Sequence, residues 1–476
     1  MLLRSRYLLM VLMFASCAPS PGTRDTEGEA SGLVNGAWEY CSRTAESMGV
    51  VPAQVDPYAA SMVAGPNGLL FAADDGTRGR ELWVSNGNRD AGTRLVKDLF
   101  PGDAGSDPSE FTRVADRVFF VAHDHLSGRE LFATDGTAAG TFRVEEIWPG
   151  DAGSYPAGLM QYNGRLYFAA GTPAHGRELW LSDGTTAGTD LVEEMDDGIE
   201  GVAPDQLTRG GDGALYYLAR WRDTFTVLMR SMGSAGALEL FRVPSHMGIA
   251  PPLVPVGTSL FFVIPGAHDG DMRTMLMVTT NGAPPVKLGH FGKVSELAAV
   301  GGKLLFSATP DVGSDDMELW ISDGTPAGTK LLEDLRPGAA GSYPDHFTVL
   351  GNRLFFSADN GTHGRELWES NGTAVATRLF ADLEPGAGGS SPEGLTTVED
   401  HFFFRATIGN RGTEGWVSNG TRIGTVALTE PAPGPRSSSP SDFTRAGSFV
   451  FFTAADNSGV RKLYALPFRP EGGCPP

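Results

Sequence analysis

The sequence predicts an all-β protein: a single β-propeller of four-stranded antiparallel blades, nine by repeat count with eight as the alternative, closed by a strand from its own N-terminal side. Three observations carry this. First, the stretch Gly79-Arg80-Glu81-Leu82-Trp83-Val84-Ser85-Asn86-Gly87 keeps returning. Its middle residue recurs at Leu131, Leu179, Leu228, Leu276, Leu319, Leu367, Gly415 and Leu463, in steps of 49, 48, 49, 48, 43, 48, 48 and 48 residues, so one supersecondary unit is repeated along the chain. Second, an aromatic closes an apolar run with the same count, at Phe71, Phe120, Phe168, Tyr217, Phe262, Phe306, Phe356, Phe404 and Phe452. Third, runs such as Phe402-Phe403-Phe404 lack polar alternation, which requires a strand covered on both faces. A four-stranded unit buried on both faces is what a propeller blade requires, because each sheet stacks on two neighbours around an axis.

Each element of the unit has its own signal, seen most clearly in unit 2. Residues 110–114 and 117–121 are rich in Val, Phe and Thr around an Ala115-Asp116 turn; residues 130–133 and 142–147 follow, separated by Thr134-Asp135-Gly136-Thr137. These are strand-length segments punctuated by turn residues. The longest connection, Pro101-Gly102-Asp103-Ala104-Gly105-Ser106-Asp107-Pro108, recurs from Pro149, Pro337, Pro385 and, more loosely, Pro433. It leads from the outer strand of one blade to the inner strand of the next. No sustained 3.6-residue apolar period is present, so no helix longer than two turns is expected within residues 59–468.

The flanks divide into short pieces. Residues 1–16 carry Arg4 and Arg6, an apolar run and small residues, and read as a signal peptide. Phe14-Ala15-Ser16-Cys17 resembles the lipobox of bacterial lipoproteins, with Phe14 where Leu or Val is usual; the resemblance implies that Cys17 is lipidated. Residues 17–32, rich in Ser, Pro, Gly, Thr and Glu, then form a flexible tether. Residues 33–58 are the closing segment, residues 59–468 the propeller, and residues 469–476 a C-terminal tail. Unit 9 has no fourth strand after Leu466, so Gly49-Val50-Val51-Pro52-Ala53-Gln54-Val55 is expected to add as its outer strand and hide an open edge. The two remaining cysteines, Cys41 and Cys474, lie at the two ends of the repeats. In an oxidising exported compartment they are expected to form a disulfide across the closure.

Composition excludes some functions. A formal net charge of −20 repels nucleic acid and anionic headgroups, and no internal segment is long enough for a transmembrane helix, so membrane contact is expected through the lipid alone. The 63 Gly and 32 Pro suit short strands and many turns.

Several motifs invite a chemical reading. Asp-Gly and Asn-Gly between two strands are hairpin turns before they are metal loops. The Glu of Glu-Leu-Trp, on a doubly covered strand, is expected to accept backbone N–H groups or Thr hydroxyls of the adjoining turn. The loops between second and third strands gather Asp74-Asp75, His123-Asp124-His125, His175, Asp311, Asp315-Asp316, Asp359 and His363; with Asp103 and Asp151 they read as a solvated acidic rim around one mouth with no cofactor, Ca²⁺ being the alternative. Units 4 and 5, about residues 205–290, lack both Glu-Leu-Trp and Asp-Gly-Thr. These units read first as drift of the repeat; the alternative is that Arg220-Trp221-Arg222 and His268-Asp269-Gly270-Asp271 are ligand contacts, Trp with two Arg suiting sugar stacking or carboxylate binding. No hydrolase elbow, zinc helix, phosphate loop or dinucleotide fingerprint is present, and no catalytic residue is assigned.

The pattern Glu178-Leu179-Trp180-Leu181-Ser182-Asp183-Gly184-Thr185, recurring as Glu318-Leu319-Trp320-Ile321-Ser322-Asp323-Gly324-Thr325, resembles the bacterial ELWxxDGT-repeat proteins over about residues 59–468. The resemblance implies an exported repeat protein and no defined reaction. The function expected is a monomeric, lipid-anchored propeller of the bacterial cell envelope, at the outer membrane or in the periplasm, serving as a non-catalytic binding or scaffolding module for a protein or glycan. The alternatives are an exported enzyme acting on glycans or phosphate esters at the mouth, and a purely structural surface component. Near-equivalent residues around the channel would favour binding or scaffolding; unlike residues reaching one another from different blades would favour an enzyme.

Overall fold

Each repeat becomes one antiparallel sheet because its four strand-length segments are separated by turns too short for any other connection. In the second repeat the strands are Ser109–Val114, Arg117–His123, Arg129–Thr134 and Phe142–Glu145, paired in chain order. The computed structural model describes residues 46–47, 62–88, 92–195, 200–222, 224–266, 273–428 and 437–468. Nine four-stranded sheets are formed, numbered here as blades 1–9 in chain order from Met62. The only helical pieces among the described residues are single 3₁₀ turns at Thr186–Gly188, Ala374–Ala376 and Gly409–Arg411, as the absence of helical periodicity predicts. No described helix is long and apolar enough to cross a membrane.

Nine apolar layers lie between the sheets, and they fix the blade count. Leu70, Leu82 and Val84 of blade 1 pack on Val118 and Phe120 of blade 2; Phe355 and Leu367 of blade 7 pack on Phe402 and Phe404 of blade 8. Both faces of each second strand are buried, as the unbroken apolar runs require. The layer that joins Phe451 and Leu463 of blade 9 to Phe71 and Trp83 of blade 1 closes the ring. A buried Phe or Leu contributes about 1.5–3 kcal/mol, so this non-covalent seam is a large stabilising term.

The inner strands bend at a conserved place in the unit. Their register with the second strand shifts between Ser109 and Thr112, between Asp205 and Thr208, and between Asp345 and Thr348. The bulged residue sits in the left-handed region, with φ of 57° at Glu110, 55° at Gln206 and 55° at His346. Such a bulge raises the local twist and re-aims side chains; the inner strands of blades 2–9 carry the shift, whereas that of blade 1 pairs in continuous register.

The closure differs in detail from expectation. Among the described residues, Glu46–Ser47 supplies the fourth strand of blade 9, with Glu46 opposite Ala465 and Ser47 opposite Tyr464. Residues 49–55 lie outside the described residues. The expected Cys41–Cys474 disulfide is corrected to this extent: no disulfide bond is found among the described residues, and both cysteines lie outside them. The described closure is backbone pairing plus the apolar seam. The signal peptide, Cys17 and the tether also fall outside the described residues.

Candidate functional site: the mouth of the ring

Because strands alternate in direction, the loop between second and third strands and the connection to the next blade share one face, the mouth. The repeated Glu is committed to building it. Glu366 is fully buried and accepts the N–H of Leu383 at 3.0 Å, of Glu384 at 3.1 Å and of Ser390 at 2.8 Å, and the Ser390 hydroxyl at 2.6 Å. Glu81 does the same with Leu99, Phe100 and Ser106, Glu130 with Ile147, Trp148 and Ser154, and Glu318 with Leu335, Arg336 and Ser342. In blade 8, Glu414 holds the N–H and hydroxyl of Ser438. Burial pushes the carboxyls of Glu81, Glu130, Glu318 and Glu366 above the ordinary value, against the pull of these hydrogen bonds. The carboxylate is thus a clamp on the connection to the next blade. Its hydroxyl partner is the Ser of that connection rather than a Thr of the hairpin turn.

The clamped connection also comes close to the third strand. Arg80 bridges Gly105, Arg177 bridges Gly201 and Arg365 bridges Gly389 in parallel fashion. Gly105 has φ of 72°, and a Cβ there would lie 2.3 Å from the Arg80 nitrogen, so only glycine fits.

The Asp-Gly-Thr element is a turn, as expected. Asp183 Oδ1 accepts the Thr185 N–H at 2.9 Å and its hydroxyl at 2.7 Å, and Asp323 repeats this with Thr325. The Thr hydroxyl bond holds both carboxyls below the usual range. Across the hairpin Ser182 and Thr189 pair through their hydroxyls at 2.7 Å.

Arginines ring the mouth, and six of them are committed. Arg80 and Arg129 both reach Asp107, at 3.2 and 3.0 Å. Arg177 donates to the Tyr155 carbonyl at 2.7 Å, Arg365 pairs with Asp345 at 2.6 Å, Arg405 with Glu393 at 2.7 Å, and Arg461 donates to the Ser439 carbonyl at 3.0 Å. Near-equivalent residues therefore recur around the ring. One sector is less regular: burial raises the Asp345 carboxyl, while Arg365 and His346 pull it down and Glu296 and Glu393 act on it from the adjoining blades.

The sequence candidates separate in space. Arg220 lines a mouth-side cavity of about 410 Å³ with Asp205, Gln206, Thr226, Ser245 and Pro251. Trp221 instead packs against the apolar layer between blades 3 and 4, and Arg222 occupies the turn at φ of 48°. His268, Asp269 and Asp271 lie outside the described residues. His123, Asp124, His125 and Asp151 line an open cavity of about 490 Å³ with Phe100 and Tyr155; burial lowers the His123 pKa, and its ring meets Phe100 edge-on at 4.8 Å. Asp124 caps its own loop through Leu126 and Ser127. Asp316 of the acidic loops meets Glu318 and Asp334, which the sequence does not group with it, and the three offer oxygens within 4.8 Å of one another. Glu318 is the clamp of blade 6, and Asp316 stands where blades 1, 2 and 7 carry Gly79, Gly128 and Gly364.

No family model and no curated protein matches this chain. Solved structures similar to it include a prolyl endopeptidase, at 14% identity and TM-score 0.42, covering 74% of this chain and 54% of that one, so the match spans about half of the endopeptidase. The β-propeller domain of the Trilobed protease from Pyrococcus furiosus matches at 13% identity and TM-score 0.38, covering 68% of this chain and 98% of that one. A puromycin hydrolase matches at 13% identity and TM-score 0.38, covering 87% and 62%.

Proposed function

We propose that this propeller is a non-catalytic binding or scaffolding module, carried outside the cytoplasm on a lipid at Cys17 and akin to bacterial ELWxxDGT-repeat proteins. One observation supports it above the rest: the repeated acids and arginines of the mouth are spent on holding connections and strand ends. A catalyst needs reactive groups that the fold leaves unspent. The leader-like residues 1–16 and the Cys17 context support the envelope location.

The test is a screen of the whole chain against glycans, phosphate esters and divalent cations including Ca²⁺, with recovered ligands analysed for bond cleavage. Binding with intact ligand is the expected result; turnover contradicts it. Cys17→Ser should move the protein from the membrane fraction to the soluble exported fraction, and membrane retention would refute the lipid anchor. The enzymatic alternative draws on the sector of Glu296, Asp345, His346 and Glu393, where unlike groups from three blades act on a raised carboxyl. Turnover abolished by Asp345→Asn would establish it.

A further inference from the structure

We infer that the cavity between blades 4 and 5 binds a sugar acid, a pyranose bearing one carboxylate, with the Arg220 guanidinium holding that carboxylate. The inference deepens the binding reading above and rests on it.

The repeat is broken at this cavity. Blade 4 carries Val227 opposite Ala219, the register position where blade 1 carries Glu81 opposite Ala73. The connection to blade 5 is only residues 245–249, between strands Leu238–Pro244 and Ala250–Val256. With no long clamped connection laid over the strand ends, a space of about 410 Å³ remains at the mouth, within the range of small-molecule sites.

The groups in it define the ligand. Six mouth arginines are held by carboxylates or carbonyls. Arg220 is exposed; its backbone N–H donates to the Val202 carbonyl, and its guanidinium has no hydrogen bond or ion pair among the described residues. In a chain with net charge −20, a guanidinium left unpaired on a cavity wall is a site for an anion, and its planar fork matches a carboxylate. The second charged group, Asp205, acts electrostatically on Arg177 and accepts the Gln206 N–H at 2.8 Å. It offers acceptor capacity to ligand hydroxyls and disfavours a doubly charged phosphate. The Gln206 amide and Thr226 hydroxyl add neutral partners, and Leu218, Ile249 and Pro251 give an apolar wall for a ring face. One negative charge, several hydroxyls and one apolar face describe a uronic acid.

The experiment is titration calorimetry of the whole chain with D-glucuronate, D-glucose and inorganic phosphate. Saturable glucuronate binding at least tenfold tighter than glucose is expected. Arg220→Ala should weaken it about 10–100-fold, Arg220→Lys should fall between, and Lys330→Ala on a distant outer strand should leave it unchanged. Equal binding of glucose, phosphate binding in place of glucuronate, absence of glucuronate binding, or an Arg220→Ala protein that binds as wild type would each overturn the inference. A glycan captured in the wider screen by Arg220→Ala with undiminished affinity would overturn it while leaving the broader reading standing.

Discussion

Six blade junctions keep the repeated Glu and a long connection, and two have lost both. Glu81, Glu130, Glu178, Glu318, Glu366 and Glu414 precede connections at 98–108, 146–156, 194–204, 334–344, 382–392 and 428–440. Blade 4, with Val227, is followed by residues 245–249, and blade 5, with Met275 opposite Ile264, by Gly292 alone. Blade 9 packs on blade 1, and Lys462 stands at its clamp position opposite Ala454. The difference teaches that the Glu belongs to the connection more than to the blade. A carboxylate in a dry layer is tolerated only while donors reach it; where the donors are gone, Val227 is fully buried instead and the junction is held by apolar contact.

The comparison breaks most visibly at Glu366. Glu366→Ala strands three backbone N–H groups and a hydroxyl, and should destabilise the fold by about 3–4 kcal/mol, read from denaturant unfolding. Val227→Ala, at the matching position of an unclamped blade, removes only apolar volume and should destabilise by about 1–2 kcal/mol. Equal losses would erase the distinction. A smaller effect belongs to Ser342→Ala, which removes one of the four bonds to Glu318 and should lower stability by about 1–1.5 kcal/mol.

Acidity separates clamps from turns by sign. The clamp carboxyls have folded values above the ordinary 4.5, so the native state takes up their protons first. Their contribution to stability grows as pH falls from neutral through the raised values and is lost as pH rises. The turn carboxyls behave oppositely: Asp75 is held at about 2, and Asp135, Asp183 and Asp323 lie below the usual 3.8. Their stabilisation is complete above 3.8 and is lost as pH falls through the lower folded values. The melting temperature should therefore rise as pH falls from 7.5 toward the raised clamp values and drop steeply below pH 3.8, which calorimetry across that range checks. The smallest effect is expected at Arg220→Ala, within about 0.5 kcal/mol of wild type, since the exposed guanidinium is held by no described group.

Much of this was legible in the sequence for physical reasons. The aromatic and Glu-Leu-Trp periods mark strands buried on both faces, and nine interblade layers answer to nine repeats. Asp-Gly-Thr was readable as a turn because the chemistry is local. The clamp was half legible: a buried Glu demands donors, but its partner lies 24 or 25 residues on, at Ser106, Ser154, Ser342, Ser390 and Ser438. That constant spacing was the available signal. Closure by a strand from the N-terminal side is legible, but the described strand Glu46–Ser47 has no apolar residue to mark it in the sequence. Arg220, Trp221 and Arg222 are adjacent in sequence, yet they part at the strand end: Arg220 lines the cavity while Trp221 joins the layer between blades 3 and 4.

The clamp itself is tested most directly by a double-mutant cycle on Glu366 and Ser390, joined at 2.6 Å through the hydroxyl and 2.8 Å through the N–H. Stabilities of Glu366→Ala, Ser390→Ala and the double variant should reveal a coupling of about 1–2 kcal/mol, with the double variant little worse than Glu366→Ala alone. Strictly additive losses would contradict the claim that the carboxylate works by holding the connection.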